Sequence, residues 1–205
     1  KLYPINDNLY VIIDALMTDG RWDLKFLGMQ IMIEGLALGA FGTLRRTTKE
    51  PLLAELLEYV ITDEARHVTF GVVALRDYYA TLPENERRHR EDWAYEISVL
   101  LRNRFLAHEF YDEFYAPLMS RRQWDEYVLQ SDFMRRFRRT MFRRLIPNLK
   151  KINLLTDRVR KHYDALGLLE YEHEKAATEL QALDLLEHDE AAAKQTLLGT
   201  SEDAA

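Results

Sequence analysis

The 205-residue chain contains no cysteine. That excludes disulfides, thiolate metal sites and cysteine nucleophiles, and it fits a reducing, cytoplasmic compartment. Any transition metal must then be held by histidine and carboxylate, the ligands of non-haem iron or manganese. Also missing are a strand-like alternation, an internal repeat and a glycine-rich phosphate loop, so the expected fold class is all-α. No signal-peptide pattern opens the chain. Its most apolar stretch, Trp22 to Arg46, is interrupted by a charge and reads as a core helix rather than a membrane span. The net charge of −6 is ordinary for a soluble domain.

What is present is one domain's worth of residues, 47% hydrophobic and 30% charged, with eleven Tyr and nine Phe. Residues 1–167 read as a helical domain and 168–205 as an acidic tail, helical over Glu170–Leu186 and disordered at its end. Asn6 or Asp7 can cap a first helix with Leu9, Ile12, Ile13 and Leu16 inward. The apolar helix from Trp22 follows, with glycines at 28, 35, 39 and 42 that suit close helix approach or an opening. Thr47 or Thr48 then caps a helix with Pro51 in its first turn. Its inward stripe is expected to include Leu53, Leu56, Leu57, Val60, Glu64, His67, Val68, Gly71 and Leu75. A third long helical region is expected from Glu84 to Leu118, and a fourth from Ser120, broken or kinked at Pro147. Another runs from Asn148 to Ala165 and closes at Gly167.

Three residues stand out. Glu34 lies in the middle of the apolar run, where a carboxylate is costly to bury unless paired, protonated or metal-bound. Glu64 and His67, three apart on the next helix, share a face. Glu-x-x-His also occurs at Glu86/His89 and Glu170/His173, but in solvated surroundings. Taken singly, His67 reads as a core histidine and Glu34 as half of a buried ion pair with Arg66 or another arginine. Together, a helix glutamate followed by Glu-x-x-His is half the ligand set of a dinuclear carboxylate bundle. Asp63, beside Glu64, is either a surface residue or an acceptor that orients a ligand histidine.

The segments M-I-E-G-L-A-L-G-A-F and D-E-A-R-H-V-T-F-G resemble the second half of ferritin-like di-iron proteins. These include the radical-generating subunit of ribonucleotide reductase and p-aminobenzoate N-oxygenase-type enzymes. The resemblance spans about Leu9 to Leu82 and implies a ferritin-like helical bundle, or its C-terminal half, with additional C-terminal helices. It implies Glu34 and Glu64 as carboxylate ligands, His67 as a terminal ligand, and Asp63 as partner to the histidine of the other motif. The cofactor implied is two iron ions, Fe/Fe or Mn/Fe. N-oxygenases of this kind carry a further histidine where this chain has Val60. The remaining ligands are expected from an N-terminal part of the same protein or from a second copy in a homodimer.

The function expected is an oxygen-activating di-iron oxidoreductase acting with O2 on a small apolar or aromatic substrate, with Leu38 and Phe41 lining the cavity. Iron storage and a non-catalytic helical scaffold are the competing classes. Finally, Arg135 to Lys151 alternates eight basic residues with apolar ones at helical spacing. It reads as a surface helix whose charges are offset by the acidic C-terminal segment, or as a docking patch for an acidic electron donor or carrier protein. Nucleic acid is not an expected partner.

Overall fold

The computed structural model describes residues 5–180. The expected end of the tail helix and the disordered terminus lie outside the described residues. Among the described residues every regular element is helical, as the missing strand alternation requires.

The first helix, α1 (Asp7–Thr18), begins where Asn6 accepts a hydrogen bond from the Leu9 amide, satisfying one orphan donor of its first turn. Ile12 and Leu16 are buried, but Ile13 is exposed. One continuous apolar helix then runs Trp22–Thr47. It comprises α2 (Trp22–Phe26), a π-helical stretch (Leu27–Ile33) and α3 (Glu34–Thr47). By length and composition it could cross a membrane. In this fold Leu24, Leu27, Ile31, Met32 and Leu36 are core residues instead.

The fourth helix, α4 (Pro51–Ala80), has Glu50 rather than a threonine as its cap, accepting from the Leu52 amide. Its buried stripe is Leu57, Ile61, Ala65, Val68, Gly71, Val72, Leu75 and Tyr79. Each fully buried aliphatic side chain contributes about 1.5–3 kcal/mol, so this stripe sets how α4 lies against α3. Leu56, expected inward, is exposed, as is His67. The core stripe therefore runs one position away from the site residues, which occupy its flank. Gly39 shows why the glycines are needed: a Cβ there would lie 2.7 Å from the Thr140 carbonyl oxygen. At Gly35 no atom comes within 4 Å of such a Cβ, so the space next to Glu34 is open.

The long third helix is shorter than its pattern suggested. The helix α5 (Glu84–Asn103) gives way at Ala107, which adopts φ 48°, and α6 (His108–Phe114) starts afresh. Ser120 caps α7 (Arg121–Gln130) in a reciprocal capping box with Gln123. Ser131 opens a separate α8 (Asp132–Phe142). At Pro147 the outcome is a break rather than a kink: α8 ends at Phe142 and Pro147 sits in the first turn of a new short helix, α9 (Leu145–Lys151), where its missing N–H has no partner to lose. Asn153 at φ 62° then separates α9 from α10 (Asp157–Ala165). Leu168 and Tyr171, beyond Gly167, belong to the main core, so the chain stays packed on the bundle past the expected tail boundary.

Candidate metal centre

Glu34 and the Glu64/His67 pair come together where α3 packs on α4. Glu64 and His67 share a face because they are three residues apart, and the close α3–α4 packing delivers Glu34 to it. His67 Nδ1 lies 3.4 Å from Glu64 Oε2 and 3.6 Å from Glu34 Oε2. One ligand atom from each residue lies within 4.8 Å of the other two. The side chains of Glu34 and Glu64 are 17% and 22% exposed, whereas that of His67 is 56% exposed. The triad therefore has a carboxylate floor and an open side.

The electrostatics are those of a cation site without competing cations. Burial, then the like charge of Glu64, pushes the Glu34 carboxyl above its usual range, and His67 offsets this only in part. Glu34 Oε2 is buried and accepts no hydrogen bond. An unpartnered buried acceptor costs about 1–3 kcal/mol, a cost that a bound cation would relieve. The expected alternative, an ion pair with Arg66, does not form: Arg66 donates to Asp63 at 2.8 Å. Asp63 itself is exposed and engaged with that arginine, so within the described residues it orients no histidine.

The other two Glu-x-x-His pairs are not brought together as sites. Glu86 pairs with Arg90, and the His89 ring is 3.4 Å from the Arg21 guanidinium. Glu170 pairs with Arg139 at 2.9 Å, and His173 is exposed. Leu38 is buried with Ile61, Ala65, Val68 and Ala177, and Phe41 packs against that cluster. One turn beyond His67 on α4, the exposed Phe70 ring meets that of Phe26, with centroids 5.7 Å apart.

Two features escaped the sequence pattern. Gln30, one turn before Glu34, has a buried side-chain oxygen with no partner. Its Cβ packs over Gly71, where an added Cβ would approach to 2.7 Å, one turn beyond His67. The π-helical stretch ends at Ile33, immediately before Glu34. Wide turns of this kind cluster at functional sites, but apolar periodicity does not report them.

Along α4 an exposed row runs Leu52, Leu56, Tyr59, Asp63, Arg66, Phe70 and Val73, spaced alternately by four and three. Its five apolar members are all exposed. This row lies beside His67 on the open side of the triad. No family model matches the chain, and no curated protein or solved structure is significantly similar to it.

Proposed function

We propose that the chain forms half of a ferritin-like dinuclear iron site in an oxygen-activating oxidoreductase. The observation that carries this reading is the convergence of Glu34, Glu64 and His67, with a buried Glu34 oxygen that accepts no hydrogen bond. Two carboxylates and an imidazole, with no thiolate, suit iron or manganese. A pair of such metals supplies the electrons that O2 needs to oxidise an organic substrate.

The chain's own residues have definable tasks. Glu34, held protonated to a higher pH than an ordinary glutamate, releases its proton as a cation enters. Glu64 sits on rigid α4 and holds His67 Nδ1 in place from one turn away. Leu38, Ile61 and Val68 exclude water from behind the carboxylates. Phe26 and Phe70 present an apolar approach that favours an aromatic or aliphatic substrate.

Three ligands do not complete two metal positions, so the remaining ligands come from helices covering the open face. A second copy is favoured by the order of residues on α4. A two-fold axis between Glu64 and Ala65 would set Leu56 against Val73, Tyr59 against Phe70, and Asp63 against Arg66 of the partner. Each contact is then apolar on apolar or acid on base. Helices from elsewhere in the same polypeptide are the other source.

The test is anaerobic Fe(II) loading followed by O2, with sedimentation and optical spectra recorded together. The expected result is a dimer that binds two irons per pair of triads and consumes O2. A monomer that completes the same stoichiometry would reject the two-fold arrangement. Iron uptake far beyond two per site, ending in a mineral, would make this a storage protein instead.

A further inference from the structure

The most concentrated positive charge in the molecule is concave. A cavity of about 600 Å³ opens between the end of α5, one face of α8 and residues 166–171. Five guanidinium groups line it: Arg102 from α5, and Arg135, Arg136, Arg138 and Arg139 from α8. Only two carboxylates, Asp132 and Glu170, line the same space. Asp132 pairs with Arg135, and Glu170 with Arg139. Among the described lining residues, guanidinium groups thus outnumber carboxylates.

The arrangement is not explained by packing. Arg138 is held in place by donating to the Val128 and Leu129 carbonyls at the end of α7. Burial, then the neighbouring charges of Arg102 and Arg135, pushes its guanidinium below the ordinary arginine range. Arg102, half-buried on α5, has no hydrogen-bond or ion-pair partner among the described residues. Like charges are therefore gathered around a space, and one of them is uncommitted. Elsewhere in the same basic stretch the charges are neutralised: Arg143 pairs with Glu174, Lys150 with Glu172 and Lys151 with Glu179. These three pairs lie outside the cavity lining.

The inner wall is apolar. Phe142, Leu168 and Tyr171 are buried residues that contribute to it. The volume lies in the range of small-molecule sites, about 300–1,000 Å³. Guanidinium forks match phosphate oxygens in paired hydrogen bonds, and arginines from two helices around one space can meet more than one phosphoryl group. We infer that this cavity binds an organic oligophosphate, its phosphoryl groups on the arginines and its apolar or aromatic body against Phe142 and Tyr171. The inference stands independently of the iron site, because the metal triad contributes no residue to it.

Calorimetric titration of the full chain with ATP, pyrophosphate and inorganic phosphate tests this. Saturable one-to-one binding is expected, tightest for ATP, weaker for pyrophosphate and weakest for phosphate. Affinity for ATP should fall at least about 10-fold in R102Q, the size expected for a lost charge-assisted hydrogen bond. It should be unchanged in R122Q, which removes the same charge from an exposed α7 arginine outside the cavity. Should R102Q melt early, R135Q, whose side chain is 63% exposed, serves in its place. Absence of saturable binding, or equal losses in R102Q and R122Q, overturns the site. Pyrophosphate binding as tightly as ATP overturns the role of the apolar wall.

Discussion

Asp23 and Glu34 are acids about three turns apart on one apolar helix, and the fold treats them in opposite ways. Asp23 is 1% exposed but is met by Arg90, whose Nε lies 2.8 Å from one oxygen and whose NH2 lies 3.3 Å from the other. Glu34 is met by a second carboxylate and a half-exposed imidazole, and one of its oxygens accepts no hydrogen bond. Glu91 repeats the first solution, accepting from Arg158 at 2.6 Å and from Thr156 at 3.0 Å. A buried acid is therefore not a site by virtue of burial. What distinguishes Glu34 is that the fold supplies like charge where Asp23 and Glu91 receive a guanidinium.

The comparison can be broken first at Arg90. In R90M, Asp23 is left buried without its cation, a loss expected to cost about 3–5 kcal/mol. Chemical denaturation should show the midpoint falling sharply with the slope unchanged. A loss below about 1 kcal/mol would mean that Asp23 was never dependent on the pair.

The opposite sign is expected at Glu34. Its carboxyl binds a proton more tightly folded than unfolded, so its charge opposes folding increasingly as pH rises from 4.5 through the raised value. E34Q should stabilise the metal-free protein at neutral pH, where the ionised carboxylate is disfavoured by burial and by Glu64. It should also weaken Fe(II) or Mn(II) binding by about 100-fold or more, since loss of even an outer partner of a metal ligand costs 10–100-fold. Destabilisation of the metal-free protein would show that Glu34 is a structural acid like Asp23.

Glu172 sharpens the point for a satisfied acid. Its hydrogen bond to Arg160, 2.5 Å, holds the carboxyl down at about 2. The stability it supplies is present above pH 4.5 and is lost as pH falls toward 2. E172Q should flatten the acid limb of the stability–pH curve between these values and leave the metal affinity alone.

The smallest effect is expected at Asp63. Its pair with Arg66 is exposed on both sides, 62% and 71%, and such pairs contribute about 0–1 kcal/mol. D63N should leave the monomer's thermal midpoint nearly unmoved. A weakened dimer in the same variant would support the two-fold arrangement of α4, because Asp63 then faces Arg66 of the partner.

Much of the site was legible because its signals are local. Glu64 and His67 are joined by helical spacing alone, and Glu34 is conspicuous inside an apolar run. The packing of Leu38 and Phe41 was not legible, because apolar neighbours of a ligand look the same in sequence whether they line a cavity or fill a core. Asp63 could not be assigned because spacing alone does not say which partner it meets, and in the fold that partner is Arg66. The Asp23–Arg90 pair joins residues 67 positions apart, and no local pattern announces it. The breaks at Ala107 and Asn153 were hidden as well, since both are single non-glycine residues with positive φ set between otherwise helical stretches.

The sequence by itself determined the helical class, the absence of thiolate chemistry and the register of Glu64 with His67, because spacing and composition act over a few residues. Only the tertiary structure decided which face of α4 is covered. Eight buried residues form the stripe against α3, and the triad is left on its open flank. It also decided which acids are neutralised and which arginines are not. Those outcomes rest on distances between helices that are remote in the chain, and burial energy, not local propensity, sets them.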